Sequence, residues 1–158
     1  MKPIAQWLDE YSLSHLNPLN KALHWICIPP IVLSLLGLLR AVPAGNDGLN
    51  AASIAALLAL AYYLALSWRL ALGAAGVLAL LYGVADFSFH QLGRLHLPAM
   101  VAVFVLAWIG QFVGHQVEGA KPSFFKDLQF LLIGPLWLLA FIYRRLHLPL
   151  EAPRAVGI

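Results

Sequence analysis

The sequence predicts an all-α integral membrane protein, a helical bundle with about four or five transmembrane helices and an N-terminal amphipathic helix. Of its 158 residues, 61% are hydrophobic and only 11% are charged, whereas a soluble domain carries about a quarter charged residues. A protein this small cannot bury so much apolar surface in its own interior, because its surface is large relative to its volume. The apolar residues also form runs close to the ~20 residues that a membrane-spanning helix needs.

The N-terminal segment has the pattern of an amphipathic helix at a membrane surface. Within residues 3–15 the apolar and aromatic side chains recur at helical spacing, and the acidic ones fall elsewhere. The set at helical spacing is Ile4, Trp7, Leu8, Tyr11 and His15. The segment lacks the apolar core of a signal peptide, so we expect the first span to be retained. Asn17 is a good N-cap and Pro18 a good first helical residue, which predicts that a second helix begins there.

Five apolar runs follow, at about 22–42, 50–67, 70–86, 99–117 and 128–143. Turn-forming or polar residues separate them, at 43–47, 67–69, 87–98 and 118–127. The chain shows neither an internal repeat nor a linker between domains. We therefore expect one helical domain. It comprises an interfacial helix at 1–17, membrane helices at 18–143 and a short tail at 144–158.

The distribution of lysine and arginine predicts the orientation of the bundle. If Lys2 and Lys21 are cytoplasmic, the loop 43–49 lies outside and carries neither residue type, while Arg69 lies inside. The arginines that follow the fifth run do not fit this scheme, so the topology of 128–143 stays open.

Charge and cysteine content exclude several kinds of function. The net charge is +3 and the basic residues are scattered, so we expect no nucleic-acid partner. Cys27 is the single cysteine and cannot form an internal disulfide. The sequence contains no Gly-rich phosphate loop and no Gly-x-Ser-x-Gly nucleophile motif.

Polar side chains gather at one predicted membrane boundary. Asn20 and His24 are four residues apart on the helix that begins at Pro18, so they share a face. The fourth apolar run ends in a polar stripe with helical spacing, formed by Trp108, Gln111, His115 and Glu118. In the predicted topology both groups lie at the cytoplasmic boundary, so two separate elements can meet there.

This gathering predicts a metal site. The predicted ligands are His15, His24, His115 and Glu118. Neutral imidazole and carboxylate suit Fe, Zn, Cu or Ni, and the carboxamides of Asn20 and Gln111 are suited to orienting those ligands. His90, four residues after Asp86, is a reserve candidate.

Other interpretations of the same residues stay open. The histidines can simply hydrogen-bond across helices in a membrane protein that is not an enzyme. They can also be the axial ligands of a haem, or the ligands of a zinc-dependent membrane hydrolase with Glu118 as general base. Ionisable groups inside membrane segments are costly, which favours a functional role over a structural one.

Two blocks of sequence carry a resemblance to a known family. The first is "YSLSHLNPLNKALHWICIP", residues 11–29, with the motif Tyr-x3-His-x-Asn-Pro-x-Asn-x3-His. The second is "WIGQFVGHQVEGAKPSFFKDLQFLLIGPLW", residues 108–137, with Trp-x2-Gln-Phe-x-Gly-His followed by an acidic residue and Lys-Pro. In this order and at this separation, the blocks resemble the 2-hydroxy-fatty-acid dioxygenase family, whose yeast member acts in the breakdown of phytosphingosine to odd-chain fatty acids.

The resemblance implies an Fe(2+)-dependent membrane dioxygenase that performs α-oxidation. A 2-hydroxy fatty acid and O2 would give CO2 and a fatty acid one carbon shorter. The family's histidines match His15, His24 and His115, and its acidic residue matches Glu118. The candidates for holding the substrate carboxylate are then Tyr11, Asn20, Gln111 and Lys121, the last by its charge.

The short chain is typical of a bacterial member of that family. This implies a protein of the bacterial inner membrane, with its active site near the cytoplasmic face. A homo-oligomer is compatible with the sequence.

Overall fold

Helices make up most of the computed structural model, which describes residues 2–45, 49–119, 121 and 129–150. In chain order they are α1 (Ile4–Ser12), α2 (Pro18–Arg40), α3 (Ala51–Leu66), α4 (Trp68–Leu92), a 3-10 turn (Gly93–Leu95), α5 (His96–Glu118) and α6 (Gln129–Arg145). Within the described ranges there is no β-strand, only an isolated bridge between Pro43 and Asn50. The predicted all-α class is confirmed.

The N-terminal helix has the amphipathic character that its sequence predicts. Its buried residues are Ile4, Trp7, Leu8 and Tyr11. They share one apolar cluster with Phe130 and Ile133 of α6. The helix α2 also begins where predicted, because Pro18 is its first residue and the Asn17 side chain accepts a hydrogen bond from the Leu19 amide at 2.9 Å.

The helix α2 is central to the fold, since it packs against α3, α4 and α5. Its approach to α5 is close at two glycines of α5. A Cβ atom added to Gly110 would lie 2.5 Å from the Cys27 sulfur, and one added to Gly114 would collide with the Asn20 side chain. The missing side chains therefore allow the two helix backbones to come close together, as small residues do between membrane helices.

The predicted polar connection at 87–98 is wrong, because the segment between α4 and α5 is only the 3-10 turn Gly93–Leu95. The helix α4 continues through the first half of this segment and ends at a glycine, Gly93, with a positive φ of 49°. The helix α5 then begins at His96, whose Nε2 donates a hydrogen bond to the Gly37 carbonyl of α2 at 2.8 Å. The local sequence of 87–98 does not indicate a helix. Contacts with α2, such as that of His96, stabilise the helical conformation of these polar residues.

Among the residues that the structure describes, two helical stretches are long and apolar enough to cross a membrane. They are Pro18–Arg40 and the nearly continuous stretch Trp68–Glu118, which includes α4, the 3-10 turn and α5. The helix α3 is also apolar but has only 16 residues. A bundle with four or five spans stays a prediction.

An ion pair joins α2 to α4 at the end of the bundle where α2 terminates. The Nε of Arg40 donates to Asp86 Oδ1 at 2.5 Å, and the Arg40 guanidinium lies 4.5 Å from the centre of the Phe89 ring. Arg40 is buried. Asp86 therefore compensates a charge that the fold has removed from water.

We expect Asp86→Ala to lower the free energy of unfolding by roughly 1.5–3 kcal/mol, the range for hydrogen bonds to charged groups. The Tm of the purified protein should fall by several degrees. The matched control is Asp9→Ala, at an exposed position of α1. Equal Tm values for the two variants, measured by thermal unfolding, would contradict this assignment.

Candidate metal centre

Three histidines from separate parts of the chain converge beside α2. His15 lies in the connector between α1 and α2, His24 in the second turn of α2, and His115 in the last turn of α5. A ring nitrogen of each lies within 4.8 Å of those of the other two, and all three residues are buried. The three histidine ligands predicted from the sequence are therefore brought together.

The hydrogen bonds of two of these histidines define which ring nitrogen carries hydrogen. Nδ1 of His15 lies 2.6 Å from the Tyr11 carbonyl, and Nδ1 of His24 lies 2.9 Å from the Asn20 carbonyl. Because a carbonyl oxygen only accepts, each Nδ1 is a donor. In the neutral imidazole, each Nε2 then carries a lone pair and no hydrogen.

These two lone pairs face one another. Nε2 of His15 lies 2.9 Å from Nε2 of His24. Burial lowers the pKa of His15 to about 4, so its ring is neutral at neutral pH and supplies no proton to share. Two acceptors at this distance repel one another unless a hydrogen-bond donor or a cation lies between or beside them. A metal cation suits the arrangement, because ligating histidines characteristically donate their other ring nitrogen to a carbonyl in this way.

His115 supplies a third nitrogen. The centre of its ring lies 5.0 Å from that of His15 and 4.9 Å from that of His24, at steep angles to both. Its Nδ1 is buried and has no hydrogen-bond partner among the described residues. Buried polar atoms are usually hydrogen-bonded, so this nitrogen is available to a ligand.

Glu118 is not one of the three residues whose ligand atoms converge. Its two carboxylate oxygens accept hydrogen bonds from the amides of Leu16 and Asn17, both at 2.8 Å, and from the Asn20 side chain at 3.0 Å. The carboxylate thus connects the end of α5 to the connector that carries His15. Its negative charge also lies at the N-terminus of α2, where the helix dipole favours an anion.

Asn20 supports this connection. Its side chain is fully buried, and its Nδ2 donates to both the Glu118 carboxylate and the Ser14 carbonyl, the latter at 3.1 Å. The neighbouring Gly114 leaves room for it. The carboxamide therefore spans the connector, α2 and the end of α5.

A small cavity of about 60 Å³ adjoins the histidines. Tyr11, His24, Gln111 and His115 line one part of it. The Tyr11 ring stacks on that of His15, with 4.2 Å between centres and 9° between planes. Burial raises the pKa of Tyr11, so its hydroxyl stays protonated and can donate a hydrogen bond. Two of the predicted substrate-binding residues, Tyr11 and Gln111, thus face the same space as two histidines.

The remaining candidates from the sequence, Lys121 and His90, are not among the residues that line this cavity. Lys121 is exposed. His90 lies 3.7 Å from Asp86 and 3.5 Å from Arg40, near the end of α2 remote from His24. The structure therefore does not bring His90 to the three histidines.

Sequence reasoning missed the contribution of α6. Trp137 lies with its ring centre 5.4 Å from that of His15, and its indole donates to the Ser12 hydroxyl at 2.9 Å. Phe130 and Gly134 line the cavity. These three residues are four and three positions apart, so they share one helix face, a spacing that could have indicated their role.

The fold and the site together define an all-helical protein with a buried cluster of three histidines that can bind a metal, beside a partly polar cavity. Over residues 1–146 the chain matches the family described as 2-hydroxy-palmitic acid dioxygenase Mpo1-like. It belongs to this family, and the resemblance found from the two sequence blocks is confirmed.

A curated relative comes from Saccharomyces cerevisiae and is named 2-hydroxy-palmitic acid dioxygenase MPO1. It is 29% identical over 151 residues, which cover 90% of this chain and 81% of the yeast protein. No solved structure matches the chain significantly.

Proposed function

We propose that this chain is an Fe(2+)-dependent membrane dioxygenase that performs α-oxidation of 2-hydroxy fatty acids. The substrate and O2 would give the fatty acid one carbon shorter, CO2 and water. The bond between the carboxyl carbon and C2 breaks, C2 becomes the new carboxyl carbon, and the substrate supplies all the electrons that O2 takes up. No further reductant is then required.

The observation that carries this proposal is the pair of facing Nε2 atoms of His15 and His24, 2.9 Å apart. With His115 they form a neutral three-nitrogen set, which suits a divalent transition metal. When bound, a ferrous ion would supply open coordination positions and the redox chemistry that O2 requires. Family membership and the name of the yeast relative, a dioxygenase, support oxidation by O2 over hydrolysis.

The residues around the cluster have distinct proposed roles. The Tyr11 hydroxyl and the Gln111 carboxamide hydrogen-bond the carboxylate and hydroxyl of the substrate, since both line the cavity. Lys121, an exposed cation, attracts the carboxylate by charge. Asn20 and Glu118 hold the ligands in place and do not contact substrate.

We further propose that the whole chain is one domain embedded in a bacterial inner membrane, with the histidines near the cytoplasmic face. The exterior of the bundle is strongly apolar, with large side chains of α3, α4 and α5 more than half exposed. They include Leu57, Leu58, Leu80 and Leu106. Many large apolar side chains exposed on one small protein favour contact with lipid or with another protein.

The test uses wild-type protein purified without chelators. We expect about one iron per chain by elemental analysis, together with O2 uptake and CO2 release that depend on 2-hydroxypalmitic acid and are absent with palmitic acid. Zinc without O2 uptake would favour a hydrolase, and a Soret band would favour a haem protein. Protein with no transition metal and no activity would leave the histidines a structural role.

A further inference from the structure

The cavity beside the histidines changes in polarity from one end to the other. Its polar residues are the buried Tyr11, His24, Gln111 and His115. The rest of its lining is apolar apart from the indole of Trp108, and two of the apolar residues, Phe112 and Leu131, are exposed at 42% and 44%. A cavity lined by buried polar residues in one part and by partly exposed apolar residues in another matches a ligand that has a polar head and an apolar tail.

The apolar part follows the helices away from the metal centre. On α2 the lining continues from His24 to Ile28, Ile31 and Val32, and on α5 it continues from His115 to Phe112 and Trp108. Because these helices contribute residues in opposite sequence order, both series lead in the same direction. At 1.5 Å per residue, the α2 series spans roughly 12 Å.

The helix α6 forms the other wall of this space. It contributes Leu131, Gly134 and Pro135. Gly134 is important because a Cβ atom there would lie 3.1 Å from the Tyr11 hydroxyl and 3.4 Å from Ile28. The glycine therefore keeps the passage open between the polar end and the apolar part.

We propose that this groove, defined by Ile28, Ile31, Phe112 and Leu131, binds the alkyl chain of a free long-chain carboxylic acid that enters head first. The inference rests on the proposed function and adds the route of the substrate. The carboxylate lies at Tyr11 and Gln111, and the chain runs along α2 between α5 and α6. The chain leaves the groove between Phe112 and Leu131.

The size of the cavity restricts how much of the chain it encloses. A volume of about 60 Å³ holds only a few water-sized groups, far less than a sixteen-carbon acid. Only the carbons next to the head are enclosed, and the rest of the chain lies on the apolar exterior. The protein should therefore accept acids of different total length and reject those that branch near the carboxylate.

Photo-crosslinking tests the route without requiring turnover. The probe is palmitic acid that carries a diazirine either near the carboxyl group or at the far end, applied to the wild-type protein in detergent micelles. We expect the first probe to label the α2 and α5 residues of the groove. We expect the second to label outward-facing residues or detergent. Labelling of the groove by neither probe would overturn the proposal.

A matched pair of variants on α2 provides the second arm. Ile31→Trp fills the groove and should reduce labelling by at least about tenfold, since one methylene in an apolar pocket already changes selection by that factor. Leu35→Trp lies one turn further on at an exposed position outside the groove and should label like the wild type. Equal labelling of both variants would contradict the proposal, and the probe map of the wild type stands even if Ile31→Trp fails to fold.

Competition establishes the direction of entry. Unlabelled 2-hydroxypalmitic acid should displace the first probe, whereas its methyl ester should displace it at least about tenfold less well because it lacks the charged head. Equal displacement would overturn head-first binding and favour the acyl chain of a membrane lipid. Groove labelling without O2 uptake would disprove the proposed function and leave the groove assignment standing. O2 uptake without groove labelling would disprove the groove assignment and leave the proposed function standing.

Discussion

Loss of iron and of O2-dependent CO2 release is the expected result for both His24→Ala and His115→Ala. Each substitution removes one of the three nitrogens that converge within the described part of the chain. Loss of an outer partner of a ligating histidine already costs about 10–100-fold in metal affinity or activity, so loss of the ligand itself should cost at least about 100-fold. Elemental analysis and CO2 release from 2-hydroxypalmitic acid measure the two effects.

A stability measurement separates this expectation from a purely structural role of the histidines. A ligand that binds only the folded state raises Tm, so a chelator should lower the Tm of the wild-type protein and leave that of His24→Ala unchanged. His90→Ala is the control, because His90 lies with Asp86 and Arg40 away from the cluster. If folded His24→Ala and His115→Ala both keep iron and activity, the metal centre is disproved.

The second large effect is expected at Glu118. Glu118→Ala removes the acceptor for two backbone amides and the Asn20 side chain, so the connector that carries His15 loses its attachment to α5. We expect iron affinity to fall about 10–100-fold, as for other residues that position metal ligands. The carboxamide of Glu118→Gln keeps one acceptor oxygen but turns its NH2 group toward an N–H donor, so this variant should lose less affinity than Glu118→Ala without matching the wild type.

This pattern distinguishes a positioning residue from a ligand. If Glu118 bound the metal directly, Glu118→Gln would lose iron as severely as Glu118→Ala, and the absorption spectrum of the cobalt-substituted protein would change. For a positioning residue, the spectrum at saturating cobalt should match that of the wild type in both variants. Glu10→Ala, at an exposed residue paired with Lys2, should change neither the affinity nor the spectrum.

The sequence predicts the parts of the site that depend on local spacing. The start of α2 at Pro18, the buried face of α1 and the sharing of one face by Asn20 and His24 follow from helical periodicity and capping. The meeting of His15, His24 and His115 also follows once the helices that carry them end at the same boundary. Helical periodicity predicts which side chains share a face because it fixes which side chains are neighbours within one helix.

The parts that were not predicted depend on distances between helices. Glu118 has the residue type of a ligand, and only its contacts with the Leu16 and Asn17 amides indicate that it holds the connector. Trp137 fits an interfacial aromatic residue by sequence, yet its ring lies against that of His15. The helical extension of α4 past residue 86 likewise depends on contacts with α2, which no local pattern records.

The three nitrogens of the centre reach it by different routes. His15 and His24 are nine residues apart, so a short piece of chain brings them together, whereas His115 arrives only when α5 docks on α2 at Gly110 and Gly114. If the histidines bind a metal, docking of the two helices would also complete the coordination set. A chain in which α5 has not yet docked would hold a metal by two of these three nitrogens at most. Tight retention of the ion would therefore indicate that the bundle is correctly assembled.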